Sequence, residues 1–347
     1  MFDKNGYLDF EYIYDHTQTF SAIVGGRGIG KSFGALKLML DRNIKFIYLR
    51  RTQTQVDMIK NDDMNPFKAL LDVLGNDYAV VNKKINKNIT ACYKAVANSD
   101  GILEPSGAPI GYLMALSTVA NIRGFDASDV DCLIYDEFIG EKHERPIQEE
   151  GSAFLNAIET IARNRELRGR KPLKVIMLSN SNMLANPLFI ELQLVTECER
   201  MLAKGQTMKH LPNRDLSLIL LNTTPISQQK AQTSLYKLAG RDSSFSKMAL
   251  DNEFTKEEMQ DIKSLSLREY KPVLSIGEIS VYRHKSRNEY YVTGHQSGSP
   301  AQYDTSAMEL KRFRRDAYHL WLAYLRRAVI FESYIYKVLF ERYFGIW

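Results

Sequence analysis

A glycine-rich motif near the N-terminus constrains the fold more than any other part of this sequence. It reads Gly25-Gly26-Arg27-Gly28-Ile29-Gly30-Lys31-Ser32, with an apolar run before it (Phe20 to Val24) and a helix-forming stretch after it (Phe33 to Leu40). This is the G-x-x-x-x-G-K-S pattern of a phosphate-binding loop, in the strand, loop and helix order that the pattern requires. An ordinary glycine turn is the alternative, but it leaves the lysine, the serine and the flanking elements unexplained.

The chemistry of this motif predicts a nucleotide site that uses ATP and Mg²⁺. Glycines let consecutive backbone N–H groups curl around a phosphate without Cβ clashes, and the positive end of the following helix faces the anion. Lys31 is then expected to reach the β- and γ-phosphate oxygens, and Ser32 is expected to be a ligand for Mg²⁺.

Composition is that of a globular protein. The chain has 347 residues, of which 44% are hydrophobic and 25% charged, so it is long enough for two domains. No apolar run approaches the roughly 20 residues of a membrane span, and residues 1–14 lack the pattern of a signal peptide, so we expect a cytosolic protein. The cysteines, Cys92, Cys132 and Cys198, have no metal-binding spacing and are expected to be reduced structural thiols.

Apolar runs and helical stretches alternate through the first half of the chain, which predicts an α/β fold with a mainly parallel sheet. The predicted strands are Phe46 to Leu49, Cys132 to Tyr135 and Val175 to Leu178, with a helix from about Ile147 to Arg165. Between residues 78 and 116, strand-like runs and a Ser99-Asp100-Gly101 turn predict an antiparallel insertion.

Two adjacent carboxylates follow one of these buried strands, because Leu133-Ile134-Tyr135 runs directly into Asp136 and Glu137. We expect Asp136 to hold Mg²⁺ through its water, and Glu137 to orient and deprotonate the water that attacks the γ-phosphate. A helix cap is the alternative interpretation of an Asp-Glu pair. Together with the glycine-rich loop, the acids predict a Mg²⁺-dependent P-loop ATP hydrolase.

Polar residues also end two other strands. Ser179 and Asn180 are expected beside the γ-phosphate, where they would couple hydrolysis to motion, although a simple turn is the alternative. Arg50 and Arg51 end the strand that begins at Phe46, and there they either report the nucleotide state or face DNA.

Three arginines are candidates for a finger that enters the site of a neighbouring subunit and stabilises the charge developing on the γ-phosphate. Arg163 and Arg165 lie at the end of the helix that follows the acidic pair, and Arg123 lies in the loop before the acidic strand. Surface cations are the competing interpretation.

The chain divides into three segments by this pattern. Residues 1–190 form the predicted ATPase motor domain. Residues 191–265 contain proline breaks and no obvious buried strand, so a linker or small helical subdomain is expected. Residues 266–347 predict a smaller α+β domain, with a hairpin of Val273 to Tyr282 and Tyr290 to Thr293 and one long helix from Ser306 to Arg326.

Basic residues cluster although the formal net charge is only +5. One cluster lies between Arg163 and Lys174, and the second comprises Lys311, Arg312, Arg314 and Arg315. Both favour contact with a polyanion such as double-stranded DNA, and a solvated charged face is the alternative.

The order and spacing of these motifs over about residues 15–190 resemble those of the phi29-type bacteriophage DNA-packaging ATPases. Besides the loop, the resembling segments are Phe46-Ile47-Tyr48-Leu49-Arg50-Arg51, Ile134-Tyr135-Asp136-Glu137-Phe138-Ile139, Arg163-Asn164-Arg165-Glu166 and Leu178-Ser179-Asn180. The resemblance implies ATP-driven translocation of double-stranded viral DNA into a prohead by a homo-oligomeric ring, usually a pentamer. It implies the phage portal as a partner, and a packaging RNA as a further candidate partner.

The same resemblance implies a location in the host cytoplasm and transiently at the portal vertex, rather than in the mature virion. For the C-terminal domain it implies a vestigial RNase H-like nuclease fold that contacts DNA or the portal. Its first strand, its loops and its helix hold scattered acids rather than a converging set: Glu278, Asp304, Glu309, Asp316 and Glu332.

Carried over residue by residue, the resemblance makes Lys31 and Ser32 the loop ligands, Asp136 and Glu137 the magnesium and catalytic acids, and Arg163 the trans-acting finger. Arg123 falls where the family has a lysine. Thr52-Gln53-Thr54 replaces an aromatic residue and a lysine of the family, so a DNA contact by that lysine is in doubt. Lysines elsewhere are the candidates to replace it: Lys60, Lys83, Lys84 and Lys87.

Two alternatives stay open at this point. The first is a nucleotide-gated switch that docks on DNA or a portal without processive translocation. The second is a terminase with an active nuclease, which requires several carboxylates converging on a pair of metal ions.

Overall fold

The computed structural model describes residues 1–61, 64–122, 125–140, 147, 149–180, 184, 186–221, 223–240, 242–243, 246, 250, 261–296 and 298–345. The chain divides into two units, of which the first comprises Met1–Leu192 and Met201–Phe254 and the second comprises Gln193–Arg200 and Thr255–Trp347.

A nine-stranded sheet organises the first unit, with the strand order β3-β4-β5-β2-β6-β7-β1-β9-β8. The central strands from β5 to β9 are parallel, and antiparallel pairs close both edges. The strands are β1 (Phe20–Gly25), β2 (Phe46–Arg50), β3 (Val80–Lys84), β4 (Thr90–Ala97), β5 (Leu103–Ala115), β6 (Cys132–Asp136), β7 (Lys174–Ser179), β8 (Met208–Leu211) and β9 (Leu216–Leu221).

This arrangement confirms the predicted α/β class and the antiparallel insertion, which consists of β3, β4 and the outer part of β5. Parallel strands are covered on both faces, and accordingly every residue of β6 and of β9 is buried. The helices of residues 1–240 are α1 (Phe10–His16), α2 (Lys31–Asp41), α3 (Gln53–Ile59), α4 (Lys68–Leu74), α5 (Glu150–Ala162), α6 (Pro187–Glu191), α7 (Val195–Ala203), α8 (Pro225–Lys230) and α9 (Ser234–Ala239).

One expectation for residues 191–265 is wrong, because this segment does contain a buried strand. β9 pairs in parallel with β1 along its whole length, from Phe20 with Leu216 to Gly25 with Leu221. The apolar run of β9 is short and lies between a proline and polar residues, so the sequence pattern does not identify it as a buried strand. β8 and β9 of this segment therefore extend the central sheet.

The second unit contains a five-stranded sheet with the order β13-β10-β11-β12-β14. Its strands are β10 (Tyr270–Ile276), β11 (Ile279–His284), β12 (Tyr290–Thr293), β13 (Ala301–Tyr303) and β14 (Val329–Phe331), and its helices are α10 (Ala307–Asp316), α11 (Tyr318–Leu325) and α12 (Tyr334–Phe344). The predicted smaller α+β domain is thus confirmed. Its core is aromatic, with Phe313, Phe331 and Phe340 fully buried together.

Two element boundaries in this unit differ from the sequence prediction. The strand expected from Val273 to Tyr282 is a tight hairpin, because Gly277 takes the positive φ of 49° that a turn requires. The single long helix is divided in two, because the backbone at Ala317 leaves the helical region with φ −100° and ψ 16°.

All three cysteines are buried and free, as predicted, and burial raises the pKa values of their thiols. Among the helices that the structure describes, none is both long and apolar enough to cross a bilayer.

Candidate functional site

The glycine-rich loop connects β1 to α2, as its sequence predicts. Gly28 and Gly30 have φ values of +68° and +87°, a region that side chains with a Cβ rarely adopt. Local conformation therefore explains why glycine occupies positions 28 and 30. The loop also contacts the N-terminal segment, because the Leu8 amide donates to the Ile29 carbonyl at 3.1 Å.

Lys31 opens α2 and points into the loop. Its ammonium donates to the carbonyls of Gly25 at 2.9 Å and Gly26 at 2.7 Å, and to Oδ1 of Asn180 at 3.1 Å. Burial lowers the pKa of this ammonium to about 8, and the charge of Asp136 opposes that shift. The ammonium is thus held by neutral oxygens where a phosphate would offer charged ones.

Asp136 is the point on which several donors converge. Its Oδ2 accepts hydrogen bonds from Ser32 Oγ at 2.7 Å, from Arg50 Nη1 at 3.2 Å and from the Tyr48 hydroxyl, while its Oδ1 accepts the Glu137 amide at 3.0 Å. The carboxylate is buried at the carboxyl edge of the sheet, where α/β sites lie. Burial beside this charge raises the pKa of the Tyr48 hydroxyl well above its usual range, so Tyr48 stays a donor.

Glu137 follows in a left-handed conformation, with φ 55°. A non-glycine residue in this region is strained, and such strain concentrates at functional sites. Its side chain is 44% exposed and pairs with Nη2 of Arg50. The turn therefore directs the second carboxylate out of the sheet and toward the open side of the site.

Residues from the three predicted motifs line one cavity of about 410 Å³: Arg27, Gly28, Gly30, Lys31, Ser32, Asp136, Glu137, Ser179 and Asn180. Phe33 lines it as well. Ser179 has a structural contact in addition, because its Oγ accepts the Ile139 amide at 3.1 Å. Asn180 is the polar residue at this strand end that contacts Lys31.

Arg50 and Arg51 are adjacent in sequence, but their side chains form ion pairs with different carboxylates. Arg50 bridges Asp136 and Glu137, so it belongs to the site. Arg51 is 3% exposed and binds Glu150 through two hydrogen bonds of 2.7 and 2.9 Å. The expectation that Arg51 faces DNA is therefore wrong for this structure, because its guanidinium is buried in an ion pair.

The three candidate finger residues differ in accessibility. Arg163 caps the C-terminus of α5; its side chain is 37% exposed, donates to the Phe125 carbonyl at 2.8 Å and lies 3.5 Å from Asp126. Arg165 is buried and donates to the Val130 carbonyl at 2.6 Å and to Asp131 at 2.7 Å, so its proposed entry into a neighbouring site is contradicted. Arg123 lies outside the described residues.

Three of the four lysine candidates in the first unit are exposed and can meet a polyanion. Lys83, Lys84 and Lys87 are exposed around the turn between β3 and β4. Lys60 is half-buried and donates to Asp57 at 2.7 Å. The turn lysines therefore fit a DNA contact better than Lys60 does.

The C-terminal basic cluster is largely paired. Arg312 lies 3.3 Å from Glu309, and Arg315 lies 2.9 Å from Asp316. Arg314 is half-buried and donates to the Tyr343 carbonyl at 2.7 Å, where it caps α12, so its expected DNA contact is contradicted. Lys311 is exposed.

The acids considered for a nuclease do not converge. Across the described residues no group of three or more His, Cys, Asp or Glu side chains could hold a metal ion. Glu332 instead accepts the Thr293 hydroxyl and lies 3.6 Å from His295, and Asp304 accepts the Ser306 amide at 2.8 Å.

Two site residues are missing from the sequence prediction. Tyr48 lies two positions before Arg50 in the buried strand β2, and a polar hydroxyl in an otherwise apolar strand was the available signal. Lys230, at the end of α8, donates to the Arg27 carbonyl in the loop. No motif marks Lys230, because the fold alone brings it to the loop.

Comparison with known proteins finds similarity to phage DNA packaging proteins. Residues 105–286 match the model of the family described as Podovirus DNA encapsidation protein (Gp16). The DNA packaging protein of Bacillus phage phi29 is 26% identical over 261 residues, which cover 73% of this chain and 67% of that protein. The DNA packaging protein of Bacillus phage B103 is 27% identical over 249 residues, which cover 70% of this chain and 66% of that protein.

Two solved structures share the fold. The bacteriophage Phi-29 viral genome packaging motor assembly superposes with a TM-score of 0.64 at 17% identity, covering 97% of this chain and 98% of that chain. The Phi-28 gp11 DNA packaging motor superposes with a TM-score of 0.61 at 18% identity, covering 98% of each chain. Because the family match spans more than half of the chain, this protein belongs to the podovirus DNA encapsidation (Gp16) family.

Proposed function

We propose that this chain is an ATP-hydrolysing subunit of the motor that drives double-stranded viral DNA into a prohead. One observation carries the proposal: Lys31 and Ser32 of the loop lie in one cavity with Asp136 and Glu137 from the strand end. Family membership and the names of the related DNA packaging proteins support the same function.

The loop residues bind and orient the nucleotide. Backbone N–H groups and Lys31 hold the phosphates, and Lys31 exchanges the carbonyls of Gly25 and Gly26 for charged phosphate oxygens. Ser32 and Asp136 fit Mg²⁺, because their oxygens already lie 2.7 Å apart and hard oxygen donors are what this ion prefers. Held by these two residues, Mg²⁺ would neutralise negative charge on the phosphates.

Glu137 acts as the general base. Its exposed carboxylate faces the cavity and accepts the proton of the attacking water. Arg50 touches both acids and is a positioning residue, because it orients the oxygens of Asp136 and Glu137 without being placed to receive a proton.

The working assembly is a homo-oligomeric ring, usually pentameric in phi29-type motors, docked at the portal of a prohead in the host cytoplasm. Arg163 is the trans-acting finger, since it is the accessible member of the described candidates. The first unit carries the motor chemistry and the turn lysines contact DNA. The C-terminal unit contacts DNA or the portal as a nuclease-like fold without nuclease activity, and a packaging RNA is a further partner to test.

ATP hydrolysis with and without double-stranded DNA, across protein concentration, tests this function. We expect stimulation by DNA that rises cooperatively with concentration. Glu137→Gln should bind ATP normally yet hydrolyse it about 10²- to 10⁴-fold more slowly, as an enzyme without its general base does. Arg163→Ala should lose stimulation, whereas Arg42→Ala, at a surface arginine that pairs with Glu11 and Asp15, is the matched control and should keep it.

Opposite results would separate the alternatives. Hydrolysis that ignores DNA and survives Arg163→Ala would favour a nucleotide-gated switch. Metal-dependent nicking of plasmid DNA would favour a terminase with an active nuclease. Normal turnover by Glu137→Gln would remove Glu137 from the mechanism.

A further inference from the structure

Lys230 reaches the phosphate loop from a part of the chain that carries no nucleotide motif. It is the last residue of α8, which follows β9, and β9 lies beside β1 in the sheet. The loop begins at the end of β1, so this adjacency of strands brings residue 230 to residues 27 and 28.

Lys230 lies close to the loop. Its ammonium donates a hydrogen bond to the Arg27 carbonyl. A Cβ built on Gly28 would lie only 3.0 Å from Lys230 Nζ, so the ammonium lies directly against the loop backbone. On its other side the ammonium lies 5.6 Å from the centroid of the Tyr236 ring.

The charge at this position has no carboxylate partner among the described residues. Burial lowers the pKa of Lys230, and no acid offsets that effect. The charge of Lys230 in turn disfavours the charged form of Lys31, as does that of Arg27. Three cations therefore surround one loop, an arrangement that an anion would stabilise.

We propose that Lys230 is a second nucleotide-binding lysine, whose ammonium exchanges the Arg27 carbonyl for a phosphate oxygen of ATP. This inference rests on the proposed function, because it assumes that the loop binds a nucleoside triphosphate. In the competing role, Lys230 would only stabilise the loop conformation through its hydrogen bond. Charge distinguishes the two roles, since a structural hydrogen bond needs a donor whereas phosphate binding needs a cation.

Equilibrium binding of ATP and ADP to single variants provides the test. Lys230→Gln keeps an N–H donor but removes the charge, and Lys230→Arg keeps the charge. We expect Lys230→Gln to raise the Kd for ATP by about tenfold or more, because a neutral amide cannot make the charge-assisted hydrogen bond to phosphate, which is about twice as strong as a neutral one. Lys230→Arg should stay within about threefold of wild type.

Controls keep the result specific to the phosphate. Lys237→Ala, an exposed lysine on α9, should leave the Kd for ATP unchanged. Thermal unfolding without nucleotide shows that Lys230→Gln is folded. The difference in affinity between Lys230→Gln and wild type should shrink as salt concentration rises, because screening weakens an interaction between charges.

An unchanged Kd for ATP in folded Lys230→Gln, while Lys31→Ala fails to bind, would overturn this inference and leave the proposed function standing. An equal rise in Kd for Lys230→Gln and Lys230→Arg would also overturn it, since charge would then be irrelevant. Wild-type protein that binds no ATP would overturn both the inference and the proposed function.

Discussion

Burial controls the protonation of Lys31, because it lowers the pKa of the ammonium to about 8. A bound polyphosphate stabilises the charged form and raises that pKa. Nucleotide binding above about pH 8 is therefore coupled to the uptake of a proton. Burial lowers the pKa of Lys230 as well, so Lys230 acts in the same direction.

We expect the affinity for ATP to be constant below about pH 8 and to fall above it, by up to about tenfold per pH unit. Titration with ATP between about pH 7 and about pH 9.5, in buffers of different ionisation enthalpy, measures the affinity and the proton uptake. Lys31→Arg is the control, because a guanidinium stays charged over this range. A flat profile for wild type would contradict the low pKa of Lys31.

Arg50 is the second residue whose role is testable in isolation. In Arg50→Ala both acids lose a shared partner, so we expect kcat for ATP hydrolysis to fall about tenfold to a hundredfold with KM for ATP nearly unchanged. Arg50→Lys should be intermediate, because a single ammonium cannot bridge both carboxylates as the planar guanidinium does. Faster hydrolysis in Arg50→Ala would instead mean that Arg50 restrains Glu137.

At the scale of elements, Arg51 has a structural role, because it connects a strand to a helix through its ion pair with Glu150. Its ion pair with Glu150 joins the end of β2 to the start of α5, and the Tyr135 hydroxyl from β6 donates to the same carboxylate at 3.0 Å. Both charged side chains are almost fully buried. A buried pair of this kind is costly to break from one side, because the remaining charge loses its counter-ion.

Arg51→Met should therefore lower the free energy of unfolding by about 3 to 5 kcal/mol, and Arg51→Met combined with Glu150→Met should recover most of that stability. Urea unfolding of the single and double variants measures both. The salt dependence of DNA binding should be unchanged in any variant that stays folded. Additive destabilisation in the double variant would show that the two residues do not act as a pair.

The turn between β3 and β4 is the DNA contact that we propose, because its three lysines are exposed. Replacing Lys83, Lys84 and Lys87 by alanine should weaken binding to all DNA sequences alike. The slope of log K against log salt should decrease by about 0.9 for each DNA phosphate that the variant no longer neutralises. Lys204→Ala, an exposed lysine elsewhere, should keep the wild-type slope. An unaltered slope in the triple variant would place the DNA interface outside this turn.

The proposed ring predicts cooperation between subunits, because Arg163 of one subunit would act on the site of the next. In the described part of the chain, Arg163 contacts the Phe125 carbonyl and Asp126. Exposed ion pairs contribute little, so its side chain can leave Asp126 at small cost. In the proposed ring, Arg163 enters a different site from the one that holds Glu137 of the same chain.

Mixing Arg163→Ala with Glu137→Gln subunits should then restore part of the DNA-stimulated hydrolysis that each variant lacks alone. In a mixed ring some sites combine an intact Glu137 with an intact Arg163 from the neighbour. Hydrolysis measured over a series of mixing ratios should pass through a maximum. Absence of any rescue at every ratio would argue that Arg163 acts within its own chain or only in the structure.

The nucleotide loop, the strand ending in Asp136 and Glu137 and the α/β class could all be predicted from the amino-acid sequence, because each depends on residues that are close together in the chain. Glycines at 28 and 30 and an apolar run before two acids specify local conformation directly.

Only the tertiary structure showed which basic side chains lie at the candidate nucleotide site. Arg50 and Arg51 differ because successive side chains at a strand end point in opposite directions. Arg165 and Arg314 are basic residues that the sequence places beside other cations, yet each binds a backbone carbonyl elsewhere in the fold. Tyr48 reaches the site because β2 pairs with β6, and Lys230 reaches it because β9 pairs with β1. The order of strands along the chain does not predict which strands become neighbours in the sheet.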